Sequence, residues 1–347
     1  MKAAIVGYAQ SGKKTLFKLL TNRDVPQGRR DDEAVEGAAA VYDARVEKLA
    51  EICKPQKTRY AETLMVLCPD VPEGGKGTWM EAARKCELLC VVLRAFTAPD
   101  VFHPRGSVDA ERDRSDLATE IVFADVDMVD KRLERLAKEK RAGLNPAQQA
   151  EEKALLKCQA ALAAGKWLKD AALDENELKT IRTLGLLTLM TVLWVYNVDE
   201  SGVQAALDAE KADASAIVVS CKIEREIMAI ENREERKAFL GEIGFAQSGL
   251  ERLNTAAYDT LGLMSFYTAG PDEVRAWTIR KGSTAPVAAG KIHSDIERGF
   301  IRAEVIKFDD LVAAGGEAEA KAKGKAQVKG RDYVIEDGDI CHFRFSV

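Results

Sequence analysis

The chain has 347 residues, 46% of them hydrophobic, which is too many for one ordinary core, so two or three domains are expected. Its formal net charge is −5 and its sequence pI is about 5.6, which excludes a global basic footprint for nucleic acid but leaves room for a local basic face. Seven Cys, an odd number without CxxC spacing, read as reduced buried thiols, and the three His (His103, His293, His342) lie too far apart in sequence to suggest zinc.

In chain order, Ala3-Ala4-Ile5-Val6 is a short apolar run that stops at Gly7, and Leu16, Phe17, Leu19 and Leu20 follow at helical spacing. The pattern is strand, glycine-bounded loop, helix. No charged segment leading a longer apolar stretch precedes it, so no secretory signal is expected. Runs at 63–68, 88–96, 187–196 and 216–220 read as further buried strands. Continuous apolar runs separated by helical stretches predict an α/β fold with a mostly parallel sheet covered on both faces. The most apolar stretch, 184–198, is too short to span a bilayer and contains Asn197, so no membrane partner is expected and the chain reads as cytoplasmic.

Between residues 117 and about 182 the character changes. Leu117, Ile121, Ala124 and Met128 recur at steps of four, three and four, and Val129, Leu133 and Leu136 repeat the pattern among Glu, Lys and Arg. Gly143-Leu144-Asn145-Pro146 breaks it before a second helical stretch from 147 to about 168, which predicts an antiparallel helical hairpin. A structural helix pair and a partner-docking arm both fit this composition. After about residue 263, short strands are expected at 266–269, 274–279, 301–306, 333–335 and 342–347. The Ala, Lys and Gly-rich stretch 317–330 is expected to hold a short helix and a loop.

Gly7-Tyr8-Ala9-Gln10-Ser11-Gly12-Lys13-Lys14 fits GxxxxGK and lacks the final Ser or Thr. Two glycines let the backbone curl so that its amides face phosphate oxygens. The helix N-terminus adds partial positive charge, and Lys13 reaches the β- and γ-phosphates. Lys13 is the catalytic candidate, and Gly7, Gln10, Ser11, Gly12, Lys14 and Thr15 complete the candidate phosphate site. Lys14 stands where a hydroxyl normally ligates Mg²⁺. An ammonium cannot coordinate a metal, and Thr15 is turned about 100° away along the helix. Either Lys14 brings positive charge to the phosphates in place of the metal, or triphosphate binding is weak and hydrolysis slow. No residue is assigned as a metal ligand.

The strand at 187–196 leads into Asn197-Val198-Asp199-Glu200, where an NKxD signature would read guanine. The missing Lys and the longer Glu200 carboxylate weaken a guanine fit, and ATP or GTP remains the candidate ligand. Asn197 and Glu200, with Ser220 and Cys221 at the end of the next strand, are placed at the base, because ligands sit beyond the C-terminal ends of parallel strands.

These residues resemble the YchF-type Obg-like ATPases, of the translation-factor class of P-loop GTPases. The resemblance is carried by Ala4-Ile5-Val6-Gly7 with Gly12-Lys13 and Thr15-Leu16-Phe17, by Val91-Val92-Leu93-Arg94-Ala95-Phe96, and by Asn197-Val198-Asp199-Glu200. It is most specific at Phe266-Tyr267-Thr268-Ala269-Gly270, Glu273-Val274-Arg275-Ala276-Trp277-Thr278, Gly299-Phe300-Ile301-Arg302-Ala303-Glu304-Val305-Ile306, and Asp337-Gly338-Asp339 with His342-Phe343-Arg344-Phe345. It implies a G domain (1–116 and 184–263) interrupted by a helical coiled-coil insertion (117–183), then a TGS domain of β-grasp type (264–347). It also implies ATP over GTP, slow hydrolysis, cytosolic residence and ribosome association.

The departures cluster at the nucleotide. After the strand at 63–68 the family carries a DxxG turn. This chain has Leu67-Cys68-Pro69-Asp70-Val71-Pro72, with neither Asp nor Gly in register, and 34–41 lacks the expected switch Thr. Their joint loss argues against efficient Mg²⁺-assisted catalysis. Gly74-Gly75-Lys76-Gly77 is a loop where a second switch could move. The alternative function is a degenerate G-domain scaffold that acts through its TGS domain and helical arm on a ribosome or RNA–protein partner. Arg275, Arg280, Lys281, Lys291, Arg298 and Arg302 supply local basic charge for that, with acids interleaved. A P-loop metabolic kinase would need an acceptor lid, which the insertion does not resemble. No DNA partner is expected.

Overall fold

The computed structural model describes residues 2–26, 28, 30, 32–72, 74, 77–210, 213–230, 232–243, 245 and 247–346. Its strands are β1 (Lys2–Val6), β2 (Val35–Val41), β3 (Lys57–Arg59), β4 (Ala61–Leu67), β5 (Leu88–Ala95), β6 (Thr191–Val198), β7 (Ala216–Val219), β8 (Leu263–Ala269), β9 (Glu273–Arg280), β10 (Phe300–Lys307), β11 (Gln327–Lys329) and β12 (Asp339–Phe345). The chain forms two compact units, Met1–Gly37 with Leu64–Leu253, and Ala38–Thr63 with Asn254–Val347. No helix among the described residues is long and apolar enough to cross a membrane.

The first sheet has the order β2-β4-β1-β5-β6-β7, and β4, β1, β5, β6 and β7 pair in parallel. β1 and β5 are almost wholly buried, as expected of strands covered on both faces. The helix Ala110–Glu139 explains the four-three-four spacing. Leu117, Ile121 and Ala124 pack against the sheet with Ala4, Val6 and Val91. Farther along, Val129 and Leu136 pack against Leu155, Cys158 and Leu162 of the returning helix Pro146–Ala163. Asn145 and Gln148 cap each other reciprocally at the start of that helix, with Pro146 in its first turn.

The second unit is a six-stranded mixed sheet, β11-β10-β12-β8-β9-β3. β8 and β9 form an antiparallel hairpin, the helix Ala285–Ile292 follows, and β12 returns beside β8 in parallel. This is the β-grasp arrangement that the resemblance implied. Phe266 meets Phe343 edge-on at 5.8 Å between ring centroids, and Ala285, Ala288 and Ala289 let the helix approach closely.

Several expectations are corrected. The stretch read as a strand from 187 begins as a short 3-10 turn, Leu187–Leu189, and β6 starts only at Thr191. Residues 333–335 make an isolated bridge between Val334 and Thr284 rather than a strand. The region at 34–41 read as a switch contains β2, which alternates buried and exposed positions. The stretch 317–330 holds the helix Glu317–Ala322 and also β11. Val347, at the end of the last expected strand, lies outside the described residues.

Two buried carboxylates organise backbone in the first unit. Asp125 is fully buried and accepts the amides of Leu187 (3.0 Å) and Thr188 (2.7 Å), the Thr188 hydroxyl (2.7 Å) and the Arg84 guanidinium (2.8 Å). Capture of two successive amides by one side chain explains why an apolar, strand-like run turns at 187–189. Asp125→Ala leaves Arg84 without its counter-charge and both amides unpaired, so unfolding free energy in urea should fall by about 3–5 kcal/mol. A loss under about 1 kcal/mol contradicts this account.

Glu224 is also buried and accepts the amide of Gly249 at 2.6 Å. A Cβ at Gly249 would lie 2.9 Å from the Val218 carbonyl oxygen, so glycine permits the close approach. Burial pushes the Glu224 carboxyl up from 4.5 to about 7, against the opposing hydrogen bonds from Gly249, Ser248 and Leu250. The folded chain therefore keeps a proton that the unfolded chain releases. The resulting stability is complete below pH 4.5 and is lost as pH rises through about 7. Glu224→Gln should flatten this decline, changing the stability difference between pH 4.5 and 8 by on the order of 3 kcal/mol. Superimposable pH profiles for the two proteins would refute it.

Candidate functional site

β1 ends at Val6, and Gly7 begins a turn that delivers the chain to the helix Lys13–Thr21. A Cβ on Gly7 would lie 2.6 Å from the Val92 carbonyl oxygen of β5, so only glycine fits. Gln10 (φ 62°) and Gly12 (φ 92°) both adopt left-handed backbone, which reverses the chain twice within three residues. The Ser11 amide donates to the Tyr8 carbonyl at 3.4 Å, and the Leu16 amide donates to the Gly12 carbonyl at 2.9 Å. No side chain caps the helix Lys13–Thr21, and its first turn holds no acid. Its leading amides are thus free for an anion, and the helix dipole adds positive potential there.

Lys13 is buried, and its ammonium donates to the Tyr8 carbonyl at 3.1 Å and to the Asp70 carboxylate. Burial pulls the Lys13 ammonium below its ordinary range, and the Asp70 charge opposes that pull. Asp70 is held by its neighbour: the Val71 amide donates to the Gly7 carbonyl at 3.1 Å, in a parallel bridge with Tyr8. The sequence placed the acid of this segment out of register with a DxxG turn. The structure nonetheless brings Asp70 directly onto the loop lysine, so it is the functional residue that motif matching missed. An acid just beyond a strand paired with the loop strand was the available signal. Lys14 is exposed and Thr15 is partly buried.

Asn197 joins the loop to the rest of the site. Its amide nitrogen donates to the Ser11 carbonyl (3.1 Å), and its oxygen accepts the Cys221 amide (3.1 Å). A Cβ on Gly12 would run into that same Asn197 nitrogen. Ser220 and Cys221 are buried at the start of the helix Cys221–Ala229, and burial raises the Cys221 thiol to about 12, which makes it an inert lining group rather than a nucleophile. Among the described residues the buried hydroxyls of Ser11 and Ser220 have no hydrogen-bond partner. Glu200 lies in the 3-10 turn Glu200–Gly202 and pairs with Lys222 at 2.8 Å. Asp199 instead accepts the Thr97 amide at 2.8 Å and ties the end of β6 to the segment after β5. The expected switch loop Gly74-Gly75-Lys76-Gly77 includes Gly75 and Lys76, which lie outside the described residues.

The donor set at the loop suits Mg²⁺ poorly: Lys14 occupies the ligand position, and Asp70 is engaged by Lys13. Orphaned buried hydroxyls and open helix amides suit a polyanion instead.

Comparison with known proteins agrees with this geometry. Residues 263–346 match the family model YchF-GTPase_C, described as "Protein of unknown function (DUF933)". Over 366 aligned residues the chain is 37% identical to the ribosome-binding ATPase YchF of Bacillus subtilis (strain 168), covering 100% of both proteins. It is 32% identical to Obg-like ATPase 1 of Oryza sativa subsp. japonica, covering 100% of this chain and 92% of that protein. Its fold is similar to the solved structure of the Schizosaccharomyces pombe YchF GTPase, with a TM-score of 0.83 at 28% identity over 99% of this chain and 97% of the other. Full-length identity to relatives of this kind, together with a glycine-bounded loop that opens helix amides beside a lysine, establishes that the chain belongs to the YchF family of Obg-like ATPases.

Proposed function

We propose that the chain binds a purine nucleoside triphosphate, with ATP preferred over GTP, and hydrolyses it slowly as a cytoplasmic, ribosome-linked switch. The observation that carries this reading is the uncapped start of the helix Lys13–Thr21, wrapped by a turn in which Gly7 and Gly12 leave no room for a side chain. In this reading Gly7, Gln10, Ser11 and Gly12 shape the cradle, and Lys13, Lys14 and Thr15 meet the phosphates. Lys13 exchanges the Asp70 carboxylate for phosphate oxygen, so its charge stays compensated throughout. The exposed Lys14 contributes the positive charge that a metal usually brings. Ser220 and Cys221 line the base side. The preference for adenine rests on the sequence, where Val198 replaces the Lys of NKxD and Glu200 the Asp, which weakens a guanine fit.

Ribosome association is supported by relatives named as ribosome-binding ATPases. We assign residues 1–116 and 184–263 to the G domain, 117–183 to the helical arm, and 264–347 to the TGS domain that would face RNA or protein on the ribosome. Nothing favours the non-binding scaffold over this reading, given the buried unpartnered hydroxyls at the loop.

Titration calorimetry with ATP, GTP and ADP, with and without Mg²⁺, tests the proposal. ATP should bind at least as tightly as GTP, and Mg²⁺ should change the ATP Kd by less than about threefold, since no ligand set awaits it. Asp70→Asn removes the carboxylate that competes with phosphate and should tighten ATP binding about five- to tenfold. No binding at millimolar ATP would return the scaffold reading, and weaker binding by Asp70→Asn would contradict the exchange.

A further inference from the structure

A second concavity of the first unit, of about 700 Å³, is lined by the segment after the helix Trp79–Ala83, the 3-10 turn Leu168–Asp170, the helix Glu175–Ile181 and residues 185–190. Leu178, Leu186 and Leu189 contribute apolar surface, and Leu178 is 38% exposed. Lys85, Lys169 and Arg182 surround them from three different segments. All three are exposed, and among the described residues none has a carboxylate within ion-pair distance. Of the two other lining cations, Lys179 lies 3.9 Å from Glu175 with both side chains largely in water, so that pair holds little of its charge. Arg84 is committed to Asp125 and to the carbonyls of Ala124 and Gly185, and so braces the wall. Glu87 is the one acid in the lining.

In a protein of net charge −5, uncompensated cations around a leucine floor are a local reversal of sign. A soluble surface gains nothing by grouping like charges around apolar side chains, unless a ligand of complementary character covers both. We propose that this groove docks an acidic amphipathic helix from a partner protein, with leucine or phenylalanine side chains at helical spacing on the floor and Asp or Glu against the rim. The chemistry selects this occupant. Helix-in-groove recognition needs an apolar floor with polar edges, and the rim supplies charge of the correct sign. Among the described residues the lining holds no aromatic ring on which a nucleobase could stack, which disfavours single-stranded RNA. The proposal is independent of nucleotide binding, because it uses none of the phosphate-loop residues.

The test is fluorescence anisotropy with a labelled synthetic peptide carrying Leu and Phe at positions i, i+3, i+4 and i+7 and Asp or Glu between them. The peptide should bind the full-length protein, and affinity should fall at least about tenfold in the double variant Lys169→Glu/Arg182→Glu. Leu178→Ala should weaken binding about threefold or more while leaving the rim charge intact. Thermal melts and retained ATP binding separate lost docking from misfolding, and Lys169→Gln/Arg182→Gln provides a milder variant whose affinity should fall between the two extremes. Equal binding of a scrambled peptide of the same composition would reduce the effect to bulk charge and overturn the proposal. So would unchanged affinity in the reversed variant, tighter binding of a single-stranded oligonucleotide of equal charge, or tighter binding to vesicles of anionic phospholipid.

Discussion

The nucleotide site depends on backbone amides that the fold leaves without a partner. A helix has no internal acceptors for its first amides, and this one begins without a side-chain cap or an acid in its first turn. The turn that exposes them is fixed from three directions. The Val92 carbonyl crowds Gly7, the Val71 amide holds the Gly7 carbonyl, and Asn197 holds the Ser11 carbonyl. Each restraint comes from a different strand or the segment after it, so the parallel order of β4, β1, β5 and β6 is what assembles an anion site beyond the C-terminal end of β1.

This framework explains why the loss of motif residues need not abolish binding. Amide donors and a helix dipole do not depend on side-chain identity. Metal-side chemistry does, and there the chain has changed: an ammonium replaces a hydroxyl at Lys14, and proline flanks Asp70 on both sides of the segment. Asp70 then takes a different part. It neutralises a buried lysine that would otherwise carry an uncompensated charge. The proposed metal-poor binding and slow turnover rest on these same substitutions.

The elements most legible in the sequence were those with a single dominant period. Continuous apolar runs gave β1 and β5, and the four-three-four spacing gave a helix whose buried residues are the expected Leu117, Ile121 and Leu136. Legibility failed where a distant polar group overrides local pattern. The turn at Leu187–Leu189 follows from Asp125, some sixty positions earlier, and no window of sequence contains that interaction. β2 was obscured because its inward positions include small residues such as Gly37 and Ala39 rather than a strong apolar signal. At the site, Gly7, Gly12 and Lys13 were readable because their spacing is itself the motif. Asp70 was not, because its meaning lies in a pairing across 57 positions and its own segment matches no signature. Glu200, read as a base contact, pairs with Lys222 at the surface.

Amide hydrogen exchange across the phosphate loop, measured with and without ATP in metal-free buffer, addresses the central claim most directly. If the open amides of residues 12–15 grip an anion, exchange there should slow by about tenfold or more at saturating ATP, with weaker protection near Asn197. Unchanged exchange at 12–15, with protection appearing at some other part of the chain, would contradict the account.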